Sequence, residues 1–362
     1  MWQKLKSLIS IFVMGCSTQM MGCNVAEAST EVSGFAYATM FGDDHWQKDR
    51  YAVAMNVDYM TDVVDIRGQV SSYENAPVRR LTIGRTFNTY KDGSMTIRAG
   101  RFSRVDSFFD NVVDAPASSG VAMLPLAGYN YRMFQGAFTL MDGVKLDAQQ
   151  HFGDHMISAH YSKGYMVVPD QLEYQREVLR GVYQGIHLAS NSGDTLELHH
   201  EYGNFHTYVS KSLYSASTSL LANDATSKYV AKNTHEADYT LRKAGARYDG
   251  DKFFVMVEHA EGNTETYSIT GVTKARGFAI DRSKMIGIYL PERWTVYGGH
   301  SHGENVTAKT DARDGYIGFT KRFDKLTISA DYHEGRGQGW MRYEASKPYE
   351  WKSTVVSTTY QF

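Results

Sequence analysis

Past residue 30 the chain alternates apolar and polar side chains at a period of two, the signature of strands with two unlike faces. Residues 51–60 set Val53, Met55, Val57 and Tyr59 against Ala54, Asn56 and Asp58. Residues 63–73 set Val64, Ile66 and Val70 against Asp65, Arg67 and Gln69, and 95–104 set Met95, Ile97 and Ala99 against Thr96, Arg98 and Gly100. In 155–168, Ile157, Ala159 and Tyr161 oppose Ser158, His160 and Ser162; in 325–335, Leu326, Ile328, Ala330 and Tyr332 oppose Thr327, Ser329, Asp331 and His333. Extended to the whole chain, the spacing predicts sixteen strands, over 31–42, 51–60, 63–73, 78–90, 95–104, 135–152, 155–168, 181–191, 195–210, 236–248, 252–263, 277–290, 293–303, 314–323, 325–335 and 351–362.

The connections fall into two kinds. Seven are tight and rich in Gly, Asp and Asn: 60–63, 91–94, 152–155, 191–194, 248–252, 290–293 and 323–325. Eight are longer and polar: 43–50, 73–77, 105–134, 169–180, 211–235, 264–276, 304–313 and 336–350. The two kinds alternate, so an antiparallel meander places every tight turn at one end and every long loop at the other. A soluble sandwich has no reason to sort its loops, whereas an outer-membrane barrel does, with short periplasmic turns, long external loops and an even strand number. The expected fold is therefore all-β: an antiparallel transmembrane β-barrel of about sixteen strands, whose closure leaves no unpaired edge in lipid. Two strands break the pattern. Arg85 falls in phase with Leu81, Ile83 and Phe87, and Arg282 and Lys284 fall in phase with Ile286 and Ile288. A bulge, a slip in the assigned register, or burial against a neighbouring subunit would each account for them.

Composition narrows the classes. With a formal net charge of −2 over 362 residues the chain lacks the basic excess of a nucleic-acid binder. Six prolines against 25 tyrosines suit long uninterrupted strands. No window approaches the ~20 apolar residues of a membrane helix. The start, "MWQKLK" then "SLISIFVMG" then "AEA" at Ala26–Ala28, predicts a secretion signal over 1–28 and a mature barrel domain over 29–362. Both cysteines, Cys16 and Cys23, leave with that segment; the alternative is a lipoprotein cut before one of them.

The chain ends "YQF", with Tyr360 third from last and Phe362 last. With sixteen sorted strands and a cysteine-free mature chain, this resembles the bacterial outer-membrane porins. The resemblance implies that Tyr360 and Phe362 form the signal by which the assembly machinery of the outer membrane reads the last strand. It implies a homotrimer in the cell outer membrane, in contact with outer-membrane lipid and passing small hydrophilic solutes and ions. It also implies that the third long connection, 105–134, folds inward to narrow the lumen, as its Phe108, Phe109, Val112, Val113, Leu124 and Leu126 suit. Arg67, Arg80 and Arg98 lie on the polar phase of the third to fifth strands, with Arg101 continuing toward that loop. Against them the loop offers Asp106, Asp110 and Asp114, and the family pattern sets such arginines and acids across the pore constriction.

Other chemistry is thin. "LELHHEYGNFH" brings His199 and His206 near Glu197 and Glu201, but neighbours two apart on a strand lie ~7 Å apart, so polar lumen lining is the better reading than a metal site. No cofactor is called for, nor any catalytic step. The rival functions are an adhesin or receptor acting through its loops and, behind it, a lipid-hydrolysing barrel enzyme. The second would draw on pairs such as Ser158 with His160 or Ser329 with His333.

Overall fold

A computed structural model describes residues 29–41, 50–61, 63–72, 78–89, 92–103, 140–167, 183–222, 233–268, 274–307, 309–337 and 349–362. The expected signal segment 1–28 and the connection 105–134 lie outside them. Sixteen antiparallel strands pair each with the next, and the last pairs with the first, closing a barrel. They are β1 (Ser29–Phe41), β2 (Arg50–Met60), β3 (Asp65–Ser71), β4 (Val78–Asn88), β5 (Ser94–Ser103), β6 (Leu140–Phe152), β7 (His155–Val167) and β8 (Tyr183–Tyr202). The second half comprises β9 (Phe205–Ala222), β10 (Asn233–Asp249), β11 (Phe253–Ser268), β12 (Lys274–Leu290), β13 (Trp294–Asn305), β14 (Thr310–Arg322), β15 (Leu326–Gly337) and β16 (Tyr349–Gln361).

Alternation sets the two faces as the sequence predicts. Exposed Val32, Val53, Ile83, Ile97, Val144, Ile157, Val209, Ile288 and Ile317 all point outward. Buried Gln69, Thr82, Thr96, Ser162, Glu197, Asp314 and Asp331 all point inward. At the short-turn end the outer wall carries aromatic groups: Phe205 and Phe253 pack on Tyr248 at 4.8 and 5.4 Å, and Trp294 on Phe319 at 5.7 Å. Such rings suit the boundary between hydrocarbon and water.

The eighth and ninth strands differ from expectation. "NSGD" (191–194) is no turn: Gly193 lies inside β8, paired with Gly164 on one side and Tyr214 on the other. The hairpin instead turns at Gly203 and Asn204, where Gly203 takes φ 53. Gly153 takes φ 60 in the matching turn one hairpin earlier. A two-residue hairpin needs that left-handed backbone, which glycine adopts without cost. β9 then runs on to Ala222, through half of what reads as a loop, and β13 joins β14 across only 306–309. Thus the loops are sorted less strictly than the composition of these segments suggests.

The seam is made at the end of the chain. The N–H of Gly34 donates to the Phe362 carbonyl at 3.1 Å, and the N–H of Phe362 returns to the Gly34 carbonyl at 3.0 Å. A Cβ on Gly34 would stand 2.5 Å from the Phe362 ring, so the bare backbone is the notch in which that ring sits.

Candidate pore lining

The inner wall carries a polar chain that crosses many strands. Asp65, at the start of β3, accepts from Arg67 at 3.0 Å and from Arg98 on β5 at 2.9 Å. Arg98 spans onward to Asp147 on β6 at 2.7 Å. Asp147 also takes Lys145 at 3.2 Å and His160 of β7 at 2.7 Å. The His160 ring meets His199 of β8 edge-on, at 5.1 Å between centroids. His199 bonds His206 at 3.1 Å and Glu197 at 3.3 Å, and stacks on Tyr208 of β9. Tyr208 donates to Glu258 of β11 at 2.6 Å. Every cation in this chain touches an acid. Partly buried charges tolerate such a position only when paired and hydrogen-bonded.

A second inner cluster lies on β13–β15. His333 is fully buried, with Nδ1 3.1 Å from Asp314 and Nε2 3.6 Å from Asp331. Tyr316 stacks on its ring at 5.1 Å, and Tyr297 donates to Asp331. Ser329 bonds Thr320 at 2.8 Å rather than His333, and His160 is turned to Asp147. The serine and histidine pairs that a hydrolase would use are therefore not joined in this arrangement. Among the described residues no group of three metal-ligating side chains is positioned to hold an ion.

No protein-family model and no curated protein sequence matches the chain. Among solved structures, it superposes on a loop-deletion form of OmpT, an outer membrane protein of Vibrio cholerae. The TM-score is 0.59 at 13% identity, covering 93% of this chain and 100% of that one. It superposes likewise on an anion-selective porin from Comamonas acidovorans, with TM-score 0.56 at 11% identity, over 93% and 100% of the two chains. The trimer form of OmpT gives TM-score 0.56 at 11% identity, again over 93% of this chain and 100% of that one. This is the fold of the outer-membrane porins.

Within the porin fold the predicted constriction residues take different places. Arg67, Arg80 and Arg98 face inward, Arg80 in register with Gln69 and without an ion pair among the described residues. Arg101 departs from expectation. It follows Ile97 and Ala99 in phase, pairs with exposed Leu81 in register, and grips Asp142 on the outer wall through two bonds of 2.7 Å. One strand cannot aim both Arg98 and Arg101 at the lumen, because they lie an odd number of residues apart. Asp106, Asp110 and Asp114 lie outside the described residues. The acids that hold Arg67 and Arg98 are wall residues that sequence reasoning passed over, Asp65 and Asp147. Asp65 shares the phase of Arg67 and was open to inspection, while the link from Arg98 to Asp147 exists only once β5 and β6 are in register.

Proposed function

We propose that the chain is a passive diffusion channel of the outer membrane for small hydrophilic solutes and ions. The observation that carries this is the closed sixteen-strand barrel with charges and hydroxyls inside and an apolar band outside. A barrel of that strand number leaves an aqueous passage, and its selection follows from width and lining charge rather than from a catalytic step. Arg67, Arg80 and Arg98 form the basic side of the narrowest section in this reading. Residues 105–134 fold inward opposite them and bring Asp106, Asp110 and Asp114, giving a transverse field focused by low-dielectric walls. The trimer form of OmpT supports a homotrimer as the working assembly.

Reconstitution into a planar bilayer tests the reading. Stepwise conductance is expected, with a larger step after excision of 112–124. A bilayer that stays sealed under every condition overturns the channel and favours an adhesin. We also infer that Tyr360 and Phe362 are read by the assembly machinery. Deleting Phe362 is expected to reduce the protease-resistant barrel in the membrane fraction severalfold; an undiminished barrel defeats that inference.

A further inference from the structure

The outer wall of β9–β15 departs from the apolar pattern below it. Arg282 and Lys284 do face outward, and the register on both sides of β12 is continuous, with no bulge to turn them in. Cross-strand registry makes the surroundings more unusual. His259, Arg282, His302, Arg313 and Arg336 stand side by side on five successive strands, β11 to β15. One step toward the short turns, Lys284 stands beside His300. Within this row Arg313 stands directly opposite Arg336, and like charges so placed destabilise a sheet. The acids that approach are Glu261, 3.2 Å from His259, Asp311, 3.0 Å from Arg313 and 3.6 Å from His302, and Glu350 of β16, which stands opposite Arg336 in register. Arg282 and Lys284 make no ion pair among the described residues.

Beside this basic row lies a groove of about 680 Å³. Its floor is β10, where Ala244 and Ala246 are small, and its sides are Thr207 and Val209 of β9 and Val257 of β11. His259, Arg282, Lys284, His300 and His302 close one edge. Height is set by β12, where Ile288 and Leu290 give the apolar run toward the short turns. Lys284 and Arg282 are six and eight residues from Leu290. At ~3.4 Å per residue on a strand tilted ~40°, they lie ~16 and ~21 Å up, in the upper half of an apolar band ~25 Å tall.

We propose that this surface binds a phosphorylated, acylated lipid of the outward leaflet, its phosphate on Arg282 and Lys284 and an acyl chain in the groove. The proposal rests on reading the outer wall as lipid-facing. Charge complementarity selects the occupant. Arg282 and Lys284, two cations in an apolar band with no ion pair among the described residues, call for an anion, and a guanidinium with a free fork suits phosphate. The apolar trough beside it suits a chain attached to that anion. The mixed register of charge and groove fits one amphipathic molecule better than it fits the same surface of a second copy, whose own Arg282 and Lys284 would repel it.

Native mass spectrometry of the purified full-length protein in neutral detergent tests this, titrated with bis-phosphorylated lipid A and with its dephosphorylated form. The phosphorylated lipid is expected to bind ~10-fold more tightly. Arg282→Ala with Lys284→Ala should bring it down to the dephosphorylated level, and Ala244→Trp, which fills the groove and leaves the charges, should weaken both lipids. Equal binding of the two lipids by the unaltered protein overturns the proposal, and that comparison needs no variant to fold. A double variant that changes subunit number while keeping its lipid also overturns it, marking the wall as an interface between copies. Conductance of the same preparations keeps the two readings apart. A protein that discriminates phosphate but never conducts sinks the channel alone, and one that conducts without discriminating sinks the lipid site alone.

Discussion

The inner wall between β3 and β8 and the outer wall between β9 and β15 both carry basic groups, and they arrange them in opposite ways. Inside, Arg98 lies between Asp65 and Asp147, each within 3 Å. Outside, Arg282 lies between His259 and His302 in register, and Lys284 beside His300. The outer wall of β5–β8 behaves like the interior in this respect, since Arg101 takes Asp142 at 2.7 Å and Lys163 lies 3.8 Å from Asp194. Charge on a barrel wall therefore does not follow one rule. Where acid and base alternate across strands, the surface is complete in itself and presents a patterned field to whatever passes. Where bases stand beside bases, the surface is complementary to something outside the chain.

The largest expected effect comes from breaking the complete side. Arg98→Ala would remove the guanidinium that joins Asp65 to Asp147 and leave these partly buried carboxylates with only Arg67, Lys145 and His160 beside them. We expect a loss of about 3 kcal/mol in barrel stability, read from urea unfolding in detergent micelles. Reversal potentials under a salt gradient should shift toward cations, since the wall keeps both acids. An unchanged potential would mean that this ladder does not face the conducting path. A smaller effect of opposite sign is expected on the other wall. Arg282→Leu with Lys284→Leu should stabilise the lipid-free barrel by about 1–2 kcal/mol, because charge in the apolar band costs energy that falls off toward its rim, and conductance should not move. Destabilisation would show that these cations have partners within the chain. In the same assay Arg85→Leu should change stability by less than about 1 kcal/mol. Arg85 lies three residues from the short-turn end of β4 with its guanidinium 5.1 Å from the Phe87 ring centre, so it reaches the boundary unaided.

Most of the fold was legible because period two and turn chemistry are local. The faces of β2, β3, β5, β7 and β15 came from alternation alone, and so did the anomaly at Arg85, Arg282 and Lys284. Reading went wrong where a local signal was ambiguous. Gly193 with Asp194 has the composition of a turn, yet both sides of that glycine pair with neighbouring strands, while the real turn at Gly203–Asn204 sits inside a run dense in histidine and aromatics. The lining was legible by phase and illegible by partner. That Arg98 faces water follows from its place between Ile97 and Ala99, but that it joins Asp65 to Asp147 depends on two registers at once. Tyr297 reaching Asp331, 34 residues on and two strands away, leaves no trace in any window of sequence. The same is true of the basic row, whose members are scattered from 259 to 336 and become neighbours only through four strand pairings.

The notch at Gly34 has a consequence for time rather than for energy. Gly34 and Phe362 are separated by almost the entire chain, so joining them closes a loop of 328 residues (362 − 34). By chain statistics that closure carries an entropy cost of about 5 kcal/mol beyond a constant, and pairings so distant form slowly. Once made, the seam removes two sheet edges together. Reopening it in hydrocarbon would bare both rows of N–H and C=O groups with no water to receive them. A barrel shut in this way persists because its exit is slow, and its working lifetime is set by the unfolding barrier more than by the depth of the folded state.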